Sequence, residues 1–188
     1  MLPSSGDADL TRLIRRWQDG DVGAREDLMR LVYDRVCAIA AQSLQRQGGA
    51  TLTPTELAHE ALLRLLGADA AWVDRRHFFH VVAQATRQVL VDHARKRLAE
   101  KRGAGSEALP LSQAEGLGRD DRDADLVRVD DALSQLAASD ARQARIVEMT
   151  YFGGFSREEI AQALQTSVST VDRDLRFARA WLKEALAA

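Results

Sequence analysis

The chain is poor in cysteine, proline and aromatic residues: one cysteine, three prolines, and 5% aromatics. A lone thiol excludes a disulfide framework within the chain, and Cys37, beside Val36 and Ile39 on an apolar helical face, reads as a core residue. No apolar run approaches the roughly 20 residues of a membrane span. The N-terminal MLPSSGDADL lacks the pattern of a signal peptide, so the expected location is cytoplasmic. There is no phosphate-binding glycine loop, no CxxC and no HExxH. His59-Glu60 lacks a second histidine one turn on, His77 and His80 lack a third ligand, and no serine stands in a nucleophile elbow. Neither a metal, a cofactor nor catalysis is expected, and the chain does not read as an enzyme.

What is abundant is alanine, leucine, arginine and aspartate in helical periods, which predicts an all-α protein. Leu10, Leu13, Ile14 and Trp17 mark a first short helix. Leu28, Leu31, Val32, Val36, Ile39 and Leu44 mark a longer one ending at Gly48-Gly49. Thr53-Pro54-Thr55-Glu56 opens a third, with Thr53 as N-cap, Pro54 in the first position and Glu56 closing a capping box. Val81, Val82, Ala85, Val89 and Leu90 carry a fourth, which runs out into Arg95-Lys96-Arg97. From 98 to 123 the apolar period dissolves into glycine, proline, serine and mixed charge, the composition of a flexible linker. Periodicity resumes with Leu126, Val129, Leu133 and Leu136, then with Ile146, Val147 and Tyr151 up to Gly153-Gly154. Two small helical domains follow from this reading, 1–97 and 124–188, each of four helices.

The stretch from Ser156 to Leu186 closes the second domain as two helices around a very short turn. Ser156 with Glu159 is a capping box, Ile160, Ala161 and Leu164 give one stripe, and Ser167 can cap the second helix. Burying Val171, Leu175, Ala178 and Leu182 turns Ser169, Asp172, Arg173 and Arg176 outward, with Thr170 and Phe177 flanking. Hydroxyls at the start of a helix and arginines further along suit entry into a major groove, where arginine pairs with guanine O6 and N7. An ordinary antiparallel helix pair with a solvated charged face is the alternative, and the turn lacks the glycine usual in a helix-turn-helix.

Net charge is only −2, but its distribution is uneven. Arg75, Arg76, Arg87, Arg95, Lys96, Arg97, Lys101 and Arg102 form a basic block. Glu107, Glu115, Asp120, Asp121, Asp123, Asp125, Asp130 and Asp131 follow as an acidic one. The free protein is expected to bind DNA weakly, because its acidic segment competes with phosphate, and to need a partner. Trp72, Phe78, Phe79, His80, Gln84, Arg87 and Gln88, ahead of Arg95 and Lys96, mix rings, amides and cations as single-stranded DNA binding requires. The alternative is that Phe78 and Phe79 are core anchors. Between Thr55 and Leu66, exposed Glu56, His59, Glu60, Leu63 and Arg64 form either a protein-docking face or a solvated one.

In this order the parts resemble a bacterial RNA polymerase sigma factor of the extracytoplasmic-function class, with only region 2 and region 4 domains. TPTELAHEALLRLL stands where such factors carry the helix that docks on the polymerase clamp. HFFHVVAQATRQVLVDHARKR matches the helix that reads and opens the −10 element, and YFGGFSREEIAQALQTSVSTVDRDLRFARAWLKEAL matches the region that reads the −35 element. The resemblance covers about residues 10 to 186. It implies core RNA polymerase and promoter DNA as partners, with an anti-sigma protein or a Ser/Thr kinase as a regulator. It also implies −35 contacts from Ser167, Ser169, Thr170, Asp172, Arg173, Arg176 and Phe177, and −10 contacts from Phe78, Phe79, His80, Gln84, Arg87, Gln88, Arg95 and Lys96. A stand-alone helix-turn-helix regulator and a polymerase-binding adaptor are the rival readings. Two departures stand out. Asp172 and Asp174 replace cations usual in relatives, which puts the −35 sequence in doubt. Thr53 and Thr55 replace acids of the docking helix, with only Glu56 charged. A phosphothreonine, carrying about −1.5 to −2 charges, would restore what is missing. Thr55 is the first candidate, Thr53 already has a capping task, and Thr51 is the outsider.

Overall fold

The computed structural model describes residues 5–47, 52–67, 75–103 and 114–187, and among these every regular element is a helix. The chain forms α1 (Ser5–Gln18), α2 (Val22–Gln47), α3 (Pro54–Gly67), α4 (Arg75–Gly103), α5 (Ala114–Ser139), α6 (Ala141–Tyr151), α7 (Arg157–Ala163) and α8 (Val168–Ala187). Local signals set most boundaries. After α1, Gly20 takes φ +90, and Asp21 then accepts the Ala24 N–H at 3.1 Å and Arg16 at 2.6 Å, capping α2. Thr53 Oγ1 accepts the Glu56 N–H at 3.2 Å while Glu56 accepts the Thr53 N–H at 2.7 Å, the expected capping box of α3. Asp140 accepts the Gln143 N–H at 2.9 Å and so restarts the chain as α6 after α5.

Helices α1 to α4 pack around Ile14, Leu28, Val36, Ile39, Leu57, Leu65 and Phe78, and α5 to α8 around Leu133, Leu136, Ile146, Met149, Ile160 and Val171. These two groups of four helices are not held apart. α4 is apolar on more than one face, burying Val82, Ala85, Val89, Leu90, Val91 and Ala94. One side packs on α3 and the other on α5 and α6, so a single apolar core runs through both units.

Two further expectations are corrected. The segment assigned to a linker, 98–123, is helical at both ends: α4 continues to Gly103 and α5 starts at Ala114, leaving 104–113 outside the described residues. Leu98-Ala-Glu-Lys-Arg102 is made of strong helix formers and needs no apolar stripe to extend α4. Asp123 on α5 is buried against Arg97, which gives the charged start of that helix a tertiary anchor. Leu31, expected in the core, is 49% exposed on α2, because Leu28, Val32 and Val36 take the inward stripe.

Candidate nucleic-acid interfaces

The α7–α8 pair is built by its caps. Ser156 Oγ accepts the Glu159 N–H at 3.1 Å and Glu159 accepts the Ser156 N–H at 2.8 Å. α7 ends as the Thr166 N–H reaches Ala161 O at 2.9 Å, with Gln165 at φ +52 where glycine would ordinarily sit. Ser167 Oγ then accepts the Thr170 N–H at 3.2 Å and lies 2.9 Å from the hydroxyls of both Ser169 and Thr170. Val171, Leu175 and Ala178 are buried, and the opposite face exposes Ser169, Asp172, Arg173, Arg176 and Phe177. Phe177 is 61% exposed and is not part of the core. Asp172 accepts from Arg157 Nε at 3.0 Å across the pair. Asp174 points the other way: it is 3% exposed and pairs with Arg142 of α6 at 2.8 Å.

On α4 Phe79, His80 and Arg87 are largely covered, whereas Arg95 and Lys96 keep much of their surface in solvent. The Phe79 ring meets Phe155 edge-on at 6.0 Å. His80 Nε2 lies 3.1 Å from Glu148, whose other oxygen accepts from Arg87 at 2.9 Å. Arg87 also pairs with Asp130, and Arg95 reaches Asp130 at 3.0 Å and Asp131 at 3.3 Å. Arg97 donates to Asp123 at 2.8 Å, a hydrogen bond that raises the pKa of the guanidinium above its ordinary value.

The third face lies on α3. Thr55, Glu56, His59 and Leu63 are exposed, Leu63 at 67%. His59 Nε2 lies 3.0 Å from the Tyr33 hydroxyl, Glu60 3.0 Å from His93 Nε2, and Arg64 2.8 Å from Asp92. The backbone N–H and hydroxyl of Thr53 hold the Glu56 carboxyl below its ordinary pKa.

A family model for ECF sigma factors matches residues 7–188, nearly the whole chain. The chain belongs to the ECF sigma factor family. Members are transcription initiation factors and not enzymes, and their partners are core RNA polymerase, promoter DNA and anti-sigma proteins. This chain is accordingly an alternative sigma factor that directs transcription. No curated protein matches it significantly. Among the described residues, no helix is long and apolar enough to cross a membrane.

Within this sigma factor the structure gathers the residues expected on the −35 face onto one exposed side of α8. It does not gather those expected on the −10 face in the same way. Phe78, expected to stack on a base, has no exposed surface and lies in the apolar core. Phe79 and Arg87 are also buried, Phe79 in contact with both Phe78 and Phe155, and Arg87 against Asp130 and Glu148. Gln84 is half-buried, while Gln88 and Lys96 face solvent. Of the docking residues, Glu60 and Arg64 are tied to α4 and half-covered. Thr51 and Trp72 lie outside the described residues. Sequence reasoning passed over Arg157 and Glu148. Arg157 carried no spacing signal, but Glu148 did: it is the one acid in the apolar run Ile146-Val147-Glu148-Met149.

Proposed function

We propose that this sigma factor divides its work among three helical faces. α3 docks on core RNA polymerase through Glu56, His59 and Leu63. α4 reads and opens the −10 element with Phe79, His80, Gln84, Arg87, Gln88, Arg95 and Lys96. α8 reads the −35 element with Ser169, Arg173, Arg176 and Phe177. The observation that carries the reading is the α7–α8 pair: two helices fixed by side-chain caps, with hydroxyls, arginines and an exposed ring on the side opposite a buried stripe. Asp172, held by Arg157, is then a selector against promoters that present an acceptor at its position, or a partner for cytosine N4.

We further propose that phosphorylation at Thr55 strengthens docking. A Ser/Thr kinase would transfer the terminal phosphoryl group of ATP to Thr55 Oγ1, which loses its proton. The new charge sits in the first turn of α3, where the helix dipole favours an anion. Thr55 is exposed, whereas the Thr53 hydroxyl already accepts from the Glu56 N–H and donates to the Glu56 carboxylate at 2.8 Å. A phosphate on Thr53 would forfeit that cap and face a like charge.

The test is co-elution of the purified chain with core RNA polymerase, for wild type and Thr55→Glu, followed by run-off transcription. Binding by the wild type supports a factor active as synthesised, and binding by Thr55→Glu alone supports charge-gated docking. Binding by neither refutes the docking assignment to α3.

A further inference from the structure

The outward face at the start of α8 sets an acid among cations. Asp172 stands next to Arg173 and one turn before Arg176, and all three are exposed. An acid placed four residues ahead of an arginine on one helix attracts it into an ion pair. That pair does not form here. Arg157, at the start of α7, reaches across to α8 and donates from Nε to Asp172 Oδ1 at 3.0 Å. Arg173 Nε lies 3.5 Å from Asp174, and among the described residues Arg176 has neither an ion-pair nor a hydrogen-bond partner. The acid is held from outside its own helix, and the arginine it would otherwise neutralise stays open.

Asp172 also keeps acceptor capacity. Arg157 takes one carboxylate oxygen, and among the described residues no donor reaches the other. The Asp172 side chain is 54% exposed, against 30% for Arg157, so the acid and not its holder is the outer member of the pair. Ser169, one turn earlier on the same face, has its hydroxyl 2.9 Å from that of Ser167 and does not engage the acid. In a major groove a carboxylate oxygen is repelled by guanine O6 and N7 and by thymine O4. Adenine offers its N6 amino group only beside the N7 acceptor, whereas cytosine offers N4 with no acceptor next to it on that edge. The guanine paired with that cytosine presents O6 and N7, the pattern an arginine fork matches.

From this we infer that Asp172 is a specificity-determining residue that selects cytosine in the −35 element through Oδ2, and that Arg157 is its positioning residue. By holding Oδ1, Arg157 aims the free oxygen outward and keeps the carboxylate off Arg176, which remains available to DNA. Arg157 acts through Asp172 and needs no DNA contact of its own. This inference rests on the assignment of α8 to the −35 element.

The experiment uses holoenzyme reconstituted from the full chain and core RNA polymerase. It selects from a library of randomised promoter-length duplexes, the recovered duplexes are sequenced, and fluorescence anisotropy reads affinity for the wild-type consensus. Wild type is compared with Asp172→Ala, Arg157→Ala, Arg157→Ala/Asp172→Ala and Arg176→Ala. Circular dichroism and co-elution with polymerase confirm that each variant folds and docks. The wild type is expected to select a motif in which one position prefers cytosine by about fivefold or more. Asp172→Ala is expected to lose that preference and to leave the rest of the motif in place. Arg157→Ala is expected to bind the consensus about tenfold more weakly, because the released carboxylate closes on Arg176. Removing Asp172 as well is expected to bring affinity back to within about threefold of the Asp172→Ala variant. Neither a damaged α7 nor a lost contact between Arg157 and phosphate would be rescued in that way. A double variant as weak as Arg157→Ala overturns the positioning role. A cytosine preference that survives Asp172→Ala, or a motif with no such position, overturns the selection of cytosine. Arg176→Ala tests the underlying assignment separately: a motif and an affinity that it leaves unchanged overturn the reading of the −35 element by α8.

Discussion

Replacing Phe78 with alanine separates a ring that works on DNA from a ring that holds the fold. Phe78 has no exposed surface, and its neighbour Phe79 packs edge-on against it at 5.3 Å. Deleting a fully buried phenylalanine removes its transfer energy and leaves a cavity, together about 3–5 kcal/mol. Set against the 5–15 kcal/mol typical of a whole domain, that is a large share of the stability of the first unit. For a chain of this size each kcal/mol moves the melting temperature by about 2–4 °C, so Phe78→Ala should melt about 6–20 °C lower than wild type. Phe177→Ala is the contrast. With 61% of that residue exposed, the substitution should change stability by less than about 0.5 kcal/mol and yet weaken use of the −35 element. Calorimetry gives the first quantity, and run-off transcription well below both melting points gives the second. Phe78→Ala with a wild-type melting temperature and no open complexes would refute the reasoning, because the ring would then act on the promoter and not on the core.

Three further outcomes are expected. Ser156→Ala should cost about 1 kcal/mol in chemical denaturation, since both bonds of the α7 capping box pass through that residue. Asp174→Leu in an otherwise unchanged chain should destabilise by about 1–3 kcal/mol and leave the charge of the α8 reading face as it was, because Asp174 turns inward to Arg142; an unaltered denaturation midpoint would contradict this. Glu56 and Asp21 both titrate below their ordinary values, Glu56 through Thr53 and Asp21 through Arg16 and the Ala24 N–H. A carboxylate with a depressed folded pKa stabilises above its unfolded pKa and loses that contribution as pH falls through the folded one. The starts of α2 and α3 should therefore hold at neutral pH and fray only below the usual carboxylate range. Carbon-detected NMR titration of the two carboxyl groups checks this, and a midpoint at or above the ordinary value would be evidence against it.

The legible parts of this protein are those set by neighbours in sequence. Thr53 with Glu56 and Ser156 with Glu159 are each three residues apart, so the starts of α3 and α7 could be read directly, and both boxes form. The exposed face of α8 follows from its buried stripe in the same way. The inward turn of Asp174 was also legible, since it stands between Val171 and Ala178 on that stripe, and its charge obscured its position. Ends of helices without an apolar period, such as those of α4 near Gly103 and α5 near Ala114, had no such signal. Nor did the pairings of α4. The basic and acidic blocks were visible, but Arg87 with Asp130 and Arg97 with Asp123 join residues 43 and 26 apart, and nothing local specifies which acid meets which base. Burial of Phe79 depends on Phe155 in the same non-local way.

The pairing of α4 with α5 also changes what salt does to this protein. A cationic surface that binds DNA normally displaces the counterions condensed on phosphate, and affinity falls with salt in proportion to the contacts made. Here Arg87 and Arg95 already hold anions supplied by the chain, and under the proposed −10 role of α4 exchanging them for phosphate would free Asp130 and Asp131 to gather cations of their own. Ions released from the DNA would then be in part taken up again by the protein. Added salt loosens the internal pairs as well as the external ones, so the logarithmic salt dependence of DNA binding by the free chain should be shallower than its number of phosphate contacts implies.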